Sequence, residues 1–296
     1  MQRRNFLIRA GGIALGIATS GDRLRASPTP ADRVGLGTVT LRGRFDESKL
    51  KLVDVPEYYR GRFGVRLLEF WSKHFESLEP SYLAALRRRI RAAGAELVNI
   101  QVDEDYDLAS SDESRRQQSL ETVRRWIEAA ATLRSRAIRI NPGRTGGSVE
   151  HSIASMKEVN RLCRAHRLPL LTENHFGIEM DPQVHLQIRA AAGPENVYTL
   201  PDFGNYPFDS MRDSLAKILP FAYVVSAKTV DFDAEGRHLS YDFERCLRLC
   251  EDSGFKGIYL VEQWSREVQP LDAERIADWM LEKTRGFLRE PARALG

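Results

Sequence analysis

Short apolar runs alternate with amphipathic helical patterns along most of this 296-residue chain. The runs contain many β-branched residues and few polar ones, which is typical of strands buried on both faces of a parallel sheet. Eight runs occur, at residues 34–41, 65–70, 97–102, 137–141, 169–173, 197–203, 223–230 and 257–263. This alternation predicts an α/β fold built from repeated strand–helix units.

The segments between the runs carry apolar residues three and four positions apart, a spacing that predicts amphipathic helices. These helices are predicted at residues 80–93, 112–133, 149–166, 181–192, 209–219, 242–253 and 272–288. Several begin with Asp or Ser as an N-cap, and Gly94, Gly193 and Gly254 follow three of them as C-caps.

Eight units in about 250 residues match the size of a (β/α)8 TIM barrel, which we predict as one domain over residues 33–290. An open, doubly wound sheet is the main alternative. The stretch at 41–45, after the first run, lacks the glycine spacing of a phosphate-binding loop, which favours the barrel.

Three of the apolar runs end on a carboxylate, at Glu173, Asp202 and Glu262. All strands of a parallel barrel end at the same face, where catalytic groups lie, so these carboxylates should meet in one pocket. Such a group indicates a metal site or an acid/base pair.

The N-terminus has the order of an export signal, with Arg3 and Arg4 followed by an apolar stretch at 11–19 that is too short to span a bilayer. The paired arginines resemble a twin-arginine signal, with cleavage near Ala26 and transient binding to the export machinery. A disordered basic N-terminus is the alternative. We expect a periplasmic protein, and replacing both arginines with lysine should retain it in the cytoplasm, as fractionation would show.

Charge and cysteine content narrow the possible functions. Residues 1–26 hold five arginines and one aspartate, and the remainder has 39 basic and 40 acidic residues. A nearly neutral mature protein has no bulk electrostatic attraction to nucleic acid. Cys163, Cys246 and Cys250 occupy positions expected to face the core, which favours small buried side chains over disulfides or a metal site.

Further polar residues stand at the ends of predicted strands: Glu69, Asp103, Asn141, Asn174, His175, Asn205 and Lys228. With the stretches at 126–130, 138–143, 173–175, 199–205 and 257–262, the order of these residues resembles the xylose-isomerase-like TIM-barrel superfamily of sugar and sugar-phosphate isomerases and epimerases. The resemblance covers essentially the whole mature chain.

The resemblance implies a divalent metal held by Glu173, Asp202 and Glu262, with a histidine on the seventh strand as the fourth ligand. Here Ser226 replaces that histidine, while Lys228 of the family's His-x-Lys remains, and Asn205 replaces a histidine after the sixth strand. An oxygen-rich site suits Mn²⁺ or Mg²⁺ better than Zn²⁺. Alternatively, the Lys228 ammonium lies among the carboxylates and replaces the metal.

The resemblance also implies the chemistry. Glu173 and Glu262 would act as the acid/base pair on opposite faces of a sugar, with Lys228 as an electrophile or acid. Substrate binding is expected from Glu69, Asn141, Asn174, His175, Asn205 and Trp264, with Trp71 and Phe203 packing against a sugar ring.

Simpler roles are open for some of these residues. Glu69 and Asp103 could cap helices, and His175 could be an ordinary loop histidine. Arg139 is expected in an ion pair at the barrel end. The other four histidines of interest, at 151, 166, 185 and 238, are expected at the surface.

The leading interpretation is an isomerase or epimerase that removes a proton next to a carbonyl of an unphosphorylated sugar or keto-sugar. The same proton abstraction would serve a 3-keto-glycoside lyase or hydratase. A sugar-binding barrel without activity is a further alternative. An apurinic-site endonuclease is disfavoured because the histidines of its metal cluster are missing.

Overall fold

A computed structural model describes residues 30–289, so the predicted signal segment lies outside the described residues. Eight parallel strands carry the fold: β1 (Val34–Gly37), β2 (Leu67–Trp71), β3 (Glu96–Gln101), β4 (Ile138–Arg139), β5 (Leu170–Glu173), β6 (Val197–Leu200), β7 (Val224–Thr229) and β8 (Ile258–Gln263). From β1 to β6 each strand pairs with its neighbour in the chain, β7 pairs with β8, and β8 pairs with β1.

The sheet closes into a barrel between β6 and β7. Two isolated parallel bridges, Thr199 with Ala222 and Asp202 with Ser226, join these strands where a continuous ladder is absent. The backbone N–H of Ser226 donates to the Pro201 carbonyl at 2.9 Å, which tightens the same seam. The predicted TIM-barrel fold is confirmed, and the open sheet is excluded.

Helices surround the barrel: α1 (Arg42–Asp46), α2 (Val55–Phe63), α3 (Pro80–Ala92), α4 (Glu113–Leu133), α5 (Val149–Ala165), α6 (Pro182–Ala192), α7 (Met211–Ile218), α8 (Phe243–Asp252) and α9 (Ala273–Arg289). Four predicted N-caps accept backbone N–H bonds of their helices: Asp112, Ser148, Asp181 and Asp242. These caps satisfy donors that the first helical turn leaves without partners.

Two apolar layers hold the barrel together. The larger lies between strands and helices and includes the three buried cysteines. A smaller cluster fills the barrel interior away from the strand ends: Val98, Ala137, Leu171, Leu200, Val224 and Leu260. Since this interior end is filled by apolar side chains, polar groups are left to the other end. Within residues 30–289, no helix is long and apolar enough to cross a membrane.

Candidate active site

A cavity of about 340 Å³ opens where the strands end. The three predicted catalytic residues, Glu173, Lys228 and Glu262, all line it. They come from β5, β7 and β8, so the closed barrel brings together residues that are up to 89 positions apart in sequence. The cavity has the size and position of a small-molecule site in this type of fold.

Lys228 lies at the centre of the polar group. Its Nζ donates to Asn205 Oδ1 at 2.8 Å and lies 3.4 Å from Glu262 Oε1 and 3.7 Å from Asp202 Oδ2. The side chain is only 4% exposed. Burial lowers the pKa of Lys228, but the neighbouring carboxylates outweigh it and raise that pKa above its usual value. The ammonium is therefore kept charged in the cavity wall.

Glu173 is held by a second cation. Arg139, on β4, places Nε 2.9 Å from Glu173 Oε2 and makes a two-pronged contact with Asp103 through Nη1 and Nη2. The other Glu173 oxygen accepts from Asn205 Nδ2 at 3.1 Å. One oxygen of the carboxylate is thus in an ion pair and the other accepts a hydrogen bond. The expected ion pair of Arg139 at the barrel end is present.

Glu262 has a looser environment. Its Oε2 accepts from Gln101 Nε2 at 2.7 Å, and its Oε1 faces the Lys228 ammonium. The two glutamates therefore differ: Glu173 is paired with a guanidinium, whereas Glu262 is held by an amide and a more distant ammonium. Gln101, on β3, belongs to the site although the sequence patterns did not single it out.

Three of the residues predicted to bind substrate line the cavity: Asn141, His175 and Trp264. Asn141 Oδ1 accepts the Glu173 backbone N–H at 3.0 Å, so it also fixes the end of β5. Burial, followed by Arg139, lowers the pKa of His175 to about 3, which keeps its imidazole neutral as a hydrogen-bonding group.

An aromatic corner stands at the cavity mouth. Trp71 and Trp264 both line the cavity, with ring centroids 5.9 Å apart and planes at 74°. Trp71 Nε1 donates to Asp103 Oδ2 at 2.6 Å, and the Arg42 guanidinium lies 4.6 Å from the Trp264 ring centroid. These contacts fix the two indoles in a geometry that suits an apolar sugar face.

Other predicted substrate contacts are not formed by this geometry. Glu69 and Asn174 are fully buried beneath the cavity, where Asn99 donates to Glu69 at 2.8 Å and Asn174 bonds the backbone of Asp202. Phe203 is also fully buried and packs against Phe243. We correct the role of these three residues to support of the site, because their side chains do not reach the cavity surface.

Asn205 and Asp103 have roles that differ from a direct contact with sugar. Asn205 links Glu173 to Lys228 through its two amide atoms, and it is 9% exposed. Asp103 binds Arg139 and Trp71, so it caps no helix. Glu69 likewise caps nothing. Burial, followed by repulsion from Glu262, raises the pKa of Glu69 to about 8.

Glu179 is a cavity residue that the sequence analysis missed. It lies in the short 3-10 turn Ile178–Met180 after β5, is 1% exposed, and accepts the Gly177 N–H through Oε1 at 3.0 Å. Its Oε2 has no hydrogen-bond partner within residues 30–289, and burial raises the pKa of Glu179 to about 7. In the sequence, Glu179 is a single acidic residue in a loop, and no periodic pattern there indicates that its side chain faces the cavity.

Three of the histidines expected at the surface are not fully exposed. His151 is half-buried, with Nδ1 3.4 Å from Arg116 Nη1. His185 is buried on α6, with Nε2 2.7 Å from Thr172 Oγ1 behind β5. His238 is half-buried, between Phe232 and Tyr241. The prediction was wrong for His185, because a histidine on the inner face of a helix can be buried when its ring forms a hydrogen bond, here with Thr172.

The arrangement does not fit a divalent metal as it stands. No three His, Cys, Asp or Glu side chains among residues 30–289 are arranged to hold a metal ion. Arg139 occupies one oxygen of Glu173, and Lys228 faces Asp202 and Glu262. Two like unit charges 4 Å apart repel each other by about 4 kcal/mol at an effective dielectric constant of about 20. A divalent cation at the same distance from a lysine ammonium would be repelled by roughly twice that energy. We therefore derive no step through a metal.

Comparisons with known proteins agree with this fold. No curated protein sequence matches the chain. Among solved structures, a probable 3-DHS dehydratase involved in petrobactin synthesis from Bacillus anthracis superposes with a TM-score of 0.64 at 15% identity, covering 87% of this chain and 99% of the other. At such identity the likeness shows the fold alone.

Two sugar epimerases superpose similarly. A D-psicose 3-epimerase from Clostridium cellulolyticum gives a TM-score of 0.62 at 14% identity, covering 86% of this chain and 96% of the other. A 3-keto-D-glucoside 4-epimerase from E. coli gives 0.63 at 14%, covering 84% and 98%. A family model described as a xylose isomerase-like TIM barrel matches residues 62–284. The chain belongs to the xylose isomerase-like TIM-barrel family.

Proposed function

We propose that the protein is a sugar isomerase or epimerase that moves a proton next to a carbonyl of an unphosphorylated sugar or keto-sugar. The observation that carries the proposal is the placement of Glu173, Lys228 and Glu262 on the wall of one cavity. Two carboxylates and a cation on one small-molecule site are the groups that this chemistry requires.

The reaction would use one glutamate as the base. Glu173 or Glu262 removes the proton from the carbon beside the carbonyl, and the electron pair of that C–H bond moves to the carbonyl oxygen. The Lys228 ammonium stabilises the resulting enediolate through its positive charge. Return of a proton to the opposite face of the same carbon gives an epimer, and return to the neighbouring carbon gives an isomer.

Charge in the cavity supports an uncharged substrate. The cationic groups that line it, Arg139, Arg144 and Lys228, each already face a carboxylate. None of these three is left free to pair with a phosphate. The aromatic corner and the amide of Asn141 are suited to the apolar face and the hydroxyls of a neutral sugar.

Elimination from a 3-keto-glycoside is a second candidate, favoured by Glu179. A carboxyl with a pKa of about 7 holds a proton part of the time at neutral pH and could give it to a leaving oxygen. In this reaction the enediolate would expel the group on the next carbon, forming a C=C bond as the C–O bond breaks.

Product analysis tests both candidates. The purified protein is incubated separately with D-fructose, D-tagatose and a 3-keto-D-glucoside, and the products are identified by NMR. A new epimer or isomer supports the first candidate, and a released aglycone with an unsaturated sugar supports the second. The Lys228→Met variant should lose nearly all turnover, whereas Lys283→Met, on the outer face of α9, should keep it. Absence of conversion of all three sugars would contradict the proposal for these substrates.

A further inference from the structure

Phe176 places an exposed ring at the edge of the cavity. Residues 30–289 contain five exposed large apolar side chains, and of these only Phe176, which is 57% exposed, lines the cavity. Single exposed apolar side chains are common on protein surfaces. A ring on the wall of a candidate active site is a different case, because a ligand in the site can cover it.

The backbone that carries Phe176 is held on both sides. Thr145 Oγ1 donates to the Phe176 carbonyl at 2.8 Å, and Gly177 forms an antiparallel bridge with Arg144. The centroid of the Phe176 ring lies 4.5 Å from that of His175. The ring is therefore in place before a ligand binds, and a preformed surface loses less entropy on binding than a mobile one.

The aromatic corner lies across the cavity from Phe176. Trp71 ends β2 and Trp264 follows β8, the two strands that flank β1. Phe176 follows β5, which lies opposite β1 because four strand-to-strand steps separate these strands in either direction around the closed barrel. We call Trp71, Trp264 and Phe176 the aromatic entrance. Lys228 and Glu262 are at most 5% exposed and lie deeper than the aromatic entrance.

The outer part of the cavity offers ring faces and few free polar groups. Its charged side chains already have partners, since Glu104 pairs with Lys73 and Arg144 pairs with Asp105. A second sugar ring in this position would need partners for its hydroxyl groups, because covering a hydroxyl without one costs free energy. An aromatic group needs no such partners and gains from contact with other rings.

We propose that the aromatic entrance is a subsite for an aromatic aglycone, so that the substrate is an aryl keto-glycoside and not a free monosaccharide. The sugar ring would lie over Lys228, with the aglycone between Phe176 and the aromatic corner. The inference rests on the proposed function for the position of the sugar and adds the class of group attached to it. It applies to epimerisation and to elimination, since both begin from the same bound glycoside.

Calorimetric titration of the full-length protein tests the proposal with three ligands: phenyl β-D-glucopyranoside, methyl β-D-glucopyranoside and methyl β-cellobioside. None of them has a free carbonyl, so binding is measured without turnover. The phenyl glucoside should bind at least about tenfold more tightly than the methyl glucoside, as expected for an aromatic group that is covered by other rings. Methyl cellobioside should bind no more tightly than the methyl glucoside.

Variants at Phe176 assign the preference to the aromatic entrance. Phe176→Ala should lose most of the preference for the phenyl glucoside and keep the affinity for the methyl glucoside, whereas Phe176→Tyr, which keeps a ring, should retain both. The matched control is Phe208→Ala, since Phe208 is 50% exposed but does not line this cavity. Circular dichroism checks folding, and Phe176→Leu replaces Phe176→Ala if the latter is unfolded.

Equal affinity for the phenyl and methyl glucosides, or no measurable binding of the phenyl glucoside, would overturn the proposal. So would a folded Phe176→Ala variant that keeps the full preference. Tighter binding of methyl cellobioside would assign the aromatic entrance to a second sugar, and a dimer that Phe176→Ala dissociates in light scattering would assign it to a second copy of the chain. Failure of the proposed function is seen separately, as a protein that prefers the phenyl glucoside but converts no keto-sugar.

Discussion

Arg139 shows how one buried residue sets the geometry of the site. Its guanidinium is 1% exposed and serves Asp103 and Glu173 at once. Removing one partner of a buried ion pair leaves an uncompensated charge, which typically costs about 3–5 kcal/mol. An equivalent loss is not expected from exposed pairs, which contribute about 1 kcal/mol or less.

We therefore expect Arg139→Met to lower the free energy of unfolding by about 3–5 kcal/mol, measured by urea denaturation. The control is Arg124→Met on α4, where the guanidinium pairs with exposed Glu121 and Glu128 and the change should stay within about 1 kcal/mol. Equal losses in the two variants would contradict the assigned role of Arg139. By the same reasoning, Glu173→Gln should destabilise the fold, because Glu173 is 1% exposed and pairs with Arg139.

The buried carboxyl of Glu69 should make the free energy of unfolding depend on pH. Its pKa is about 8 in the folded protein against an ordinary value of 4.5, because it is buried and lies near Glu262. Between these values the folded state holds a proton that the unfolded state has released, so this group makes stability fall as the pH rises. The difference corresponds to a contribution on the order of 5 kcal/mol.

The Glu69→Gln variant removes the titration and keeps the shape of the side chain and the acceptor for Asn99. Relative to the wild type, its unfolding free energy should be similar at pH 4.5 and should become increasingly larger up to about pH 8.5. Urea denaturation across this range measures the difference between the two proteins. Parallel curves at all pH values would show that Glu69 does not hold its proton as the structure implies.

At the scale of elements, most of the barrel could be predicted because buried strands and amphipathic helices leave strong patterns. The eight predicted strands are all present, but several are shorter than predicted. Strand β1 gives way to a 3-10 turn at Thr38, and β4 spans only two residues. Helix α2 was missed because its apolar positions are interrupted by arginines and Gly61.

The turn after β5 depends on a glycine for close packing. A Cβ added to Gly177 would lie 1.9 Å from the Gly143 carbonyl oxygen and 2.5 Å from Glu179 Oε2. Gly177→Ala must therefore displace backbone as well as the cavity carboxyl, and we expect a cost of about 1–3 kcal/mol in unfolding free energy.

Gly61→Ala is the matched substitution. Gly61 lies inside α2, and no atom of the described part of the chain lies within 4 Å of an added Cβ, so alanine should stabilise the protein by about 0.5–1 kcal/mol. Thermal or urea unfolding of both variants gives the comparison. Opposite signs are predicted, and a stabilised Gly177→Ala protein would show that the turn is not tightly packed.

For the whole molecule, the sequence indicated which residues meet but not how they pair. Closure of the barrel follows from eight units, and closure alone brings Glu173, Lys228 and Glu262 to one cavity. The pairing of Arg139 with Glu173 depends on which side chains fill the layer beneath the cavity, and no local pattern encodes that. Glu179 is placed by a loop, whose course is set by contacts with distant residues.

The most direct test of the account is exchange of substrate hydrogen with solvent. The protein is incubated in D₂O with each sugar that it converts, and deuterium at the carbon beside the carbonyl is followed by NMR. The wild type should incorporate deuterium. Glu262→Gln should do so at least about 100-fold more slowly, as expected for loss of an acid/base group, while Glu158→Gln on the outer face of α5 should match the wild type. Exchange at the wild-type rate in the Glu262→Gln variant would contradict the assignment of Glu262 and Glu173 as an acid/base pair that acts in this cavity.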